Sequence, residues 1–400
     1  MADQTIPSLE KPTRLPTQTV PVVALVAAFA VAAISLTMAG DIRPGFLVII
    51  GGLMGVALYH GPFGFTWSYR QAVLTRDVTG IRIQLIMIGV ASLLFAPVLA
   101  KGSAFGHGVG GSLAPADLEV VIGAFMFAIG MQVAGACASG TLFTVGGGNV
   151  RMVITLVFFC IGGFLATLNF GFWQSMPGFG TVSFAKLWGW EVAVPLTLTL
   201  LGLAWVGLGR WGREPKPAPD LPQNQQNSGL KRIFFGPWTV LWAGLALAAL
   251  NYATLVVAGH PWSITWGLTL WGAKGAMILG WDPTGSAFWS GGFTGRALAA
   301  PFWKDTTSLM NVAIIGGAML AASLGGRYRP GFTIPLRPII GAVIGGLLMG
   351  YGARLAYGCN IGAFFSGIAS QSLHGWIWIL SAFAGTWAGV RLRPLFGYEN

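Results

Sequence analysis

Residues 130–141 read Gly-Met-Gln-Val-Ala-Gly-Ala-Cys-Ala-Ser-Gly-Thr, and residues 351–362 read Tyr-Gly-Ala-Arg-Leu-Ala-Tyr-Gly-Cys-Asn-Ile-Gly. In each, an apolar run rich in small residues ends at a glycine-flanked cysteine. A short segment follows (Leu142 to Gly148; Ala363 to Ser370), and then another apolar run begins. This is the pattern of a helix broken inside a membrane, where irregular backbone is tolerated only if it is buried in protein or lines a cavity. A half-helix that restarts after the cysteine points its free N–H groups and positive dipole end back at the thiol. That arrangement suits an anion. A thiol is a soft, polarizable, weak donor, matched better to a sulfur-containing anion than to phosphate.

The two stretches align with each other. Ile122, Gly123, Gly130, Ala134, Cys137, Gly140 and Phe143 match Ile344, Gly345, Gly352, Ala356, Cys359, Gly362 and Phe365 at one offset without a gap. A second pair of motifs repeats at a slightly different offset. Gly64-Phe65-Thr66 matches Gly292-Phe293-Thr294, and Arg76-Asp77 matches Lys304-Asp305. Both halves carry the motifs in the same order. Paired repeats meeting at a central site are a common plan for membrane transporters.

Composition requires a membrane. Only 9% of the 400 residues are charged and 54% are hydrophobic, where a soluble domain carries roughly 25% charged residues. Mean hydropathy is +0.69. Soluble enzymes, nucleic-acid binders and disordered scaffolds are excluded, and the net charge of +11 fits Lys and Arg in cytoplasmic loops beside anionic lipid. The expected fold is an all-α polytopic membrane protein of two homologous halves, with short re-entrant or half-helices meeting at a central constriction.

Eleven apolar segments are expected to be helical: about 22–39, 46–59, 83–100, 118–134, 152–170, 192–208, 237–258, 264–279, 308–324, 338–357 and 375–392. Residues 1–20 are polar and Pro-rich and are expected to form a mobile tail. The first membrane half is 21–209, a polar linker 210–235, and the second half 236–393. The linker carries Arg210, Arg213, Lys216, Lys231 and Arg232, which argues for a cytoplasmic position. Most tryptophans fall near helix ends, as interfacial anchors do.

The expected site residues are Cys137 and Cys359 with Gly140 and Gly362. Thr66 and Thr294 either line the path with their hydroxyls or back-bond to helix carbonyls. Arg354 lies in an apolar stretch; it is either a functional intramembrane charge or a side chain that snorkels to the headgroups. Cys160 has no counterpart in the second half and reads as packing. No Cys/His spacing resembles a zinc site, no Walker loop is present, and no Ser-His-Asp order is legible. No cofactor or metal is expected.

These residues resemble the two cysteine signatures of the YeeE/YedE sulfur-transport family, over roughly residues 45–393. The resemblance implies a bacterial inner-membrane protein that takes up thiosulfate through an hourglass-shaped fold. It implies that Cys137 and Cys359 pass the anion along by S–H hydrogen bonds, and that a TusA-like cytoplasmic sulfur carrier is a partner. One departure stands out. Thiosulfate-transporting members carry a further relay cysteine in the early motif, where this chain has Gly64-Phe65-Thr66. Other sulfur or selenium anions therefore stay open as substrates. A membrane sulfurtransferase, in which one cysteine accepts sulfane sulfur, is the enzymatic alternative; it requires a thiolate of lowered pKa. A Cu(I) permease would need clustered Cys or Met ligands, which are absent from the sequence.

Overall fold

The computed structural model describes residues 16–38, 40–61, 64–213 and 230–399. The first helices are α1 (Thr19–Met38), α2 (Arg43–His60), α3 (Phe65–Thr75), α4 (Thr79–Lys101), α5 (Leu118–Ala134) and α6 (Ala138–Gly146). Then come α7 (Val150–Leu168), α8 (Phe170–Gln174), α9 (Phe184–Trp188), α10 (Trp190–Trp211), α11 (Leu230–Phe235) and α12 (Val240–Ala258). The chain closes with α13 (Thr265–Ile278), α14 (Gly292–Ala299), α15 (Thr306–Leu324), α16 (Leu336–Leu355), α17 (Ser366–Ala369) and α18 (Leu373–Leu392). Among the described residues, strands are confined to two short antiparallel pairs, Ser103–Ala104 with His107–Gly108 and Pro115–Asp117 with Gly178–Thr181.

All eleven expected apolar segments fall on helices. Among the described residues, nine helical stretches are long and apolar enough to cross a membrane. Two of the eleven helical segments fall short of that: α13 has only 14 residues, and His374, Trp376, Trp378 and Trp387 dilute the apolarity of α18. The expected tail ends before residue 20, since α1 starts at Thr19; residues 1–15 lie outside the described ones. Of the expected linker, residues 214–229 also lie outside, and its flanks are helical in α10 and α11.

Close backbone approach holds the centre together. A Cβ on Gly123 would lie 2.7 Å from the Gly352 carbonyl oxygen, and one on Gly130 would lie 2.7 Å from that of Gly345. A Cβ on Gly352 would meet the Gly123 carbonyl at 2.4 Å, and one on Gly345 the Gly130 carbonyl at 2.7 Å. So α5 and α16 cross antiparallel with almost nothing between them. Small residues do this work in membranes because lipid offers no hydrophobic drive for helix association. Gly346 and Gly350 seat α16 on α7, while Gly385 and Gly389 seat α18 on α5. Around this core, α1 has no buried residue and touches α2 and α15 through Phe29 at Gly52 and Gly316. The exposed Leu, Ile, Val and Phe side chains form the lipid-facing surface.

The chain connections define two ends. At one end the start of α1 meets the end of α15 (Gln18 N–H to Ser323 O), the end of α10 meets the end of α3 (Arg213 N–H to Arg76 O), and residue 149 bridges residue 331. Arg76, Arg151, Arg210, Arg213, Arg327, Arg329 and Arg393 gather there. At the other end Asp41, Asp117, Glu119 and Asp305 offset Arg43, Lys304 and their neighbours. The positive-inside rule therefore puts the first end in the cytoplasm.

Candidate functional site

The first thiol is placed by a helix stop and restart. Gly135 ends α5 in the left-handed region (φ +86°), a conformation that costs glycine nothing. The chain then runs extended through Cys137, which caps α6. Its Sγ accepts the Gly140 N–H at 3.4 Å and lies 3.4 Å from Ser139 Oγ. Sulfur here takes the place usually filled by a serine or aspartate oxygen. A Cβ on Gly140 would sit 3.4 Å from that sulfur, so the glycine leaves the thiol approachable.

The second thiol is placed by a related device. Tyr357 (φ +51°) and Gly358 (φ +159°) turn the chain at the end of α16. A Cβ on Gly358 would lie 2.6 Å from the Ala363 nitrogen. Cys359 is extended and caps a π-helical turn, Asn360–Phe365, that runs into α17. The backbone N–H groups of Ile361 and Gly362 face its sulfur. Such wide turns concentrate at functional sites. Ser112 Oγ donates to the Gly362 carbonyl at 2.8 Å, and a Cβ on Gly362 would lie 3.5 Å from Ser263 Oγ. A buried network braces the segment from behind. Asn251 Nδ2 donates to Ser366 Oγ at 3.1 Å, Ser366 donates to the Trp262 carbonyl, and the Trp262 N–H donates to Asn251 Oδ1 at 2.7 Å.

The two thiols lie in the same core. Both are buried and free of disulfides, they belong to one apolar cluster, and each lies within electrostatic range of the other. Close to both is a residue that the sequence reading missed. Tyr69 on α3 is fully buried, its hydroxyl has no hydrogen-bond partner, and it lies within electrostatic range of both thiols. Its only sequence signal was its position three residues after Thr66, one helical turn along the same face.

Other donors and acceptors are left open nearby. Thr66 Oγ1, Gln132 Oε1 and Asn360 Oδ1 are buried without partners. Gln132 Nε2 donates to the Thr66 carbonyl at 3.1 Å, and Asn360 Nδ2 reaches Met131 Sδ at 3.7 Å. Unsatisfied buried polar groups are rare in native proteins. Such atoms also occur elsewhere among the described residues; those on Gln132 and Asn360 stand five residues before Cys137 and directly after Cys359.

The structure separates two of the expected residues from this group. Thr294 is part-exposed on α14, and its hydroxyl donates to the carbonyls of Phe288 and Gly291 within its own turn. It takes the back-bonding alternative, whereas Thr66 is buried with its hydroxyl open. Arg354 sits in an aromatic box, with its guanidinium 5.0, 5.4 and 5.6 Å from the rings of Phe170, Phe288 and Tyr357. Tyr357 in turn donates to Glu119 at 2.6 Å. Arg354 is thus a half-buried charge flanked by aromatic faces, next to the Tyr357 that binds Glu119.

On the non-cytoplasmic side, a cavity of 460 Å³ is lined by His260, Ser263, Trp266, Arg296 and Lys304. Ser263 links it to Gly362. Asp305 also lines it, so one acid stands against Arg296 and Lys304 there.

Comparison with known proteins places this architecture. The family model for sulphur transport matches residues 60–388. The chain belongs to the sulphur-transport family. It is 25% identical to the thiosulfate transporter TsuA of Spirochaeta thermophila over 366 residues, covering 85% of this chain and 96% of that protein. It is 25% identical to the thiosulfate transporter TsuA of Escherichia coli over 360 residues, 87% of this chain and 94% of that one. The probable transporter YedE of Escherichia coli is 31% identical over 161 residues, 40% of this chain and 39% of its own. As a member of the sulphur-transport family with nine membrane-spanning stretches among its described residues, the chain is a multi-pass inner-membrane transport protein.

Proposed function

We propose that this protein takes up a small sulfur-containing anion, thiosulfate first, and passes it between Cys359 and Cys137 by hydrogen bonds without lasting covalent change. The observation that carries this reading is the burial of two thiols, each at the start of a restarted helical segment, in one core with unpartnered polar side chains beside them in the chain. Tyr69 serves as a third donor on the path. Its hydroxyl is a harder donor than a thiol and suits the oxygen end of thiosulfate. Thr66 and Gln132 assist it, Gly140 and Gly362 keep the thiols open, and Arg354 and Thr294 act by holding the fold.

The halves 21–209 and 236–393 are proposed as inverted repeats. Gly123 aligns with Gly345 and Gly130 with Gly352, and the contacts run crosswise, Gly123 on Gly352 and Gly345 on Gly130. A two-fold axis in the membrane plane relates such contacts. A TusA-like carrier is the proposed cytoplasmic acceptor.

The test is growth of a sulfur-starved bacterial host, lacking its own thiosulfate uptake, with thiosulfate as sole sulfur source. Rescue by the wild-type chain is expected. No rescue at normal membrane abundance, with rescue on another sulfur anion, would reassign the substrate. A stable gain of one sulfur atom in the intact mass after exposure would favour the sulfurtransferase reading instead.

A further inference from the structure

Directly on the cytoplasmic side of the Cys137 turn lies a group of arginines that the thiol path does not use. Arg393 is 5% exposed. Its Nη1 donates to the Gln132 carbonyl at 2.8 Å, and its Nε is buried without a partner. Arg151 Nη1 donates to the Ala134 carbonyl at 2.8 Å. The same guanidinium lies 3.5 Å from the Cβ position of Gly135, two residues before Cys137. Arg70 and Arg151 are both within electrostatic range of Arg393. Among the described residues, no carboxylate pairs with any of the three.

Three cations at close quarters repel one another, and burying them is costly without a counter-charge. The carbonyl end of α5 offsets part of this. Arg151, however, stands in the first turn of α7, where the helix dipole disfavours a cation. Tyr398 packs its ring over Arg151 and Arg393, 5.1 and 4.9 Å from the guanidinium carbons, and accepts from Arg151. Beside it opens a cavity of 480 Å³ lined by Gly148, Asn149, Arg151, Arg329, Thr333 and Tyr398. The missing partner of this group is an anion.

We infer that Arg70, Arg151 and Arg393 form a cytoplasmic exit station for a sulfur oxoanion, which leaves the Cys137 thiol for the guanidinium cluster before release. The inference rests on the sulfur-anion reading above. Thiosulfate has a soft sulfur end and a hard oxygen end. Thiols address the first, and guanidinium forks address the second through charge-assisted hydrogen bonds. The exit station selects for charge and oxygen, so sulfate occupies it as well.

The experiment measures ligand-induced shifts of the thermal unfolding midpoint for the full chain in lipid-free detergent. Thiosulfate and sulfate are the probes, with ionic strength held constant by chloride. Wild type and the Cys137→Ala/Cys359→Ala variant are expected to shift saturably with both anions. Arg151→Gln and Arg393→Gln are expected to weaken the apparent affinity by about tenfold each. Arg70→Gln, which removes no side-chain hydrogen bond seen among the described residues, covers the case in which the other variants misfold, and the same weakening is expected. Arginine variants that bind both anions as wild type does would overturn the station. So would a wild type that transports thiosulfate yet shows no shift, and in both cases the thiol reading would stand. Loss of binding in the cysteine variant alone would also overturn it. A midpoint that responds to phosphatidylglycerol through Arg151, and not to either sulfur anion, would reassign the cluster to lipid headgroups.

Discussion

Replacing Gly352 with alanine tests whether the α5–α16 crossing sets the distance between the thiols. The new Cβ would lie 2.4 Å from the Gly123 carbonyl oxygen and 2.6 Å from the Phe127 nitrogen. Both are backbone atoms of a packed helix, so no side chain can swing away. Restoring ordinary contact requires the helices to part by about 1 Å. Overpacking of this kind costs roughly 1–3 kcal/mol, while alanine in place of glycine favours the helix by about 1 kcal/mol. The helix gain is removed by comparison with Gly202→Ala on α10, where nothing lies within 4 Å of the added methyl. The difference between the two variants is then the crossing term alone, about 1–3 kcal/mol. Chemical unfolding in detergent measures it. Parting the helices also moves the Cys137 and Cys359 turns that follow them, so thiosulfate uptake is expected to fall with both cysteines intact. Equal stability and equal uptake in Gly352→Ala and Gly202→Ala would refute the reasoning.

Other outcomes follow from single side chains. Tyr69→Phe removes a hydroxyl that has no protein partner, so the unfolding midpoint is expected to stay unchanged while uptake drops about five- to tenfold; a parallel loss of stability would count against its role on the path. Asn251→Ala strips partners from Ser366 and the Trp262 N–H and is expected to destabilise by about 1–3 kcal/mol, read by chemical unfolding. In the outer loop, hydrogen bonds from Arg43 hold the Asp41 carboxyl below the usual carboxylate range. Its pKa is depressed on folding, so whatever the pair contributes is complete at neutral pH and disappears only in acid below about pH 4. Because both side chains are exposed and an exposed pair of this kind contributes little, Asp41→Asn is expected to leave uptake unchanged between about pH 6 and pH 8.

The chemistry of the site was more legible than its membership. Cys137 and Cys359 stood out because each ends an apolar run at glycine, and the paired glycines Gly123, Gly130, Gly345 and Gly352 turned out to be the contacts of the central crossing. Those signals are local, and backbone physics fixes them. Tyr69 was illegible because nothing near it in sequence says that its hydroxyl goes unpaired; that depends on α3 entering the core beside α5. Thr66 and Thr294, matched in sequence, differ in setting because α14 stays at the periphery, where Thr294 donates to the carbonyls of Phe288 and Gly291. Arg354 had two readings from sequence. Its aromatic box draws on Phe170 and Phe288, both distant in the chain. The arginine cluster beneath Cys137 joins residues 70, 151 and 393, which no local pattern connects.

The most direct test is uptake of radiolabelled thiosulfate by proteoliposomes containing wild type, Cys137→Ala or Cys359→Ala at matched protein content. Time-dependent uptake by wild type and near-background uptake by each variant, with unfolding midpoints preserved, is the result the account predicts. Wild-type rates in both cysteine variants would contradict it.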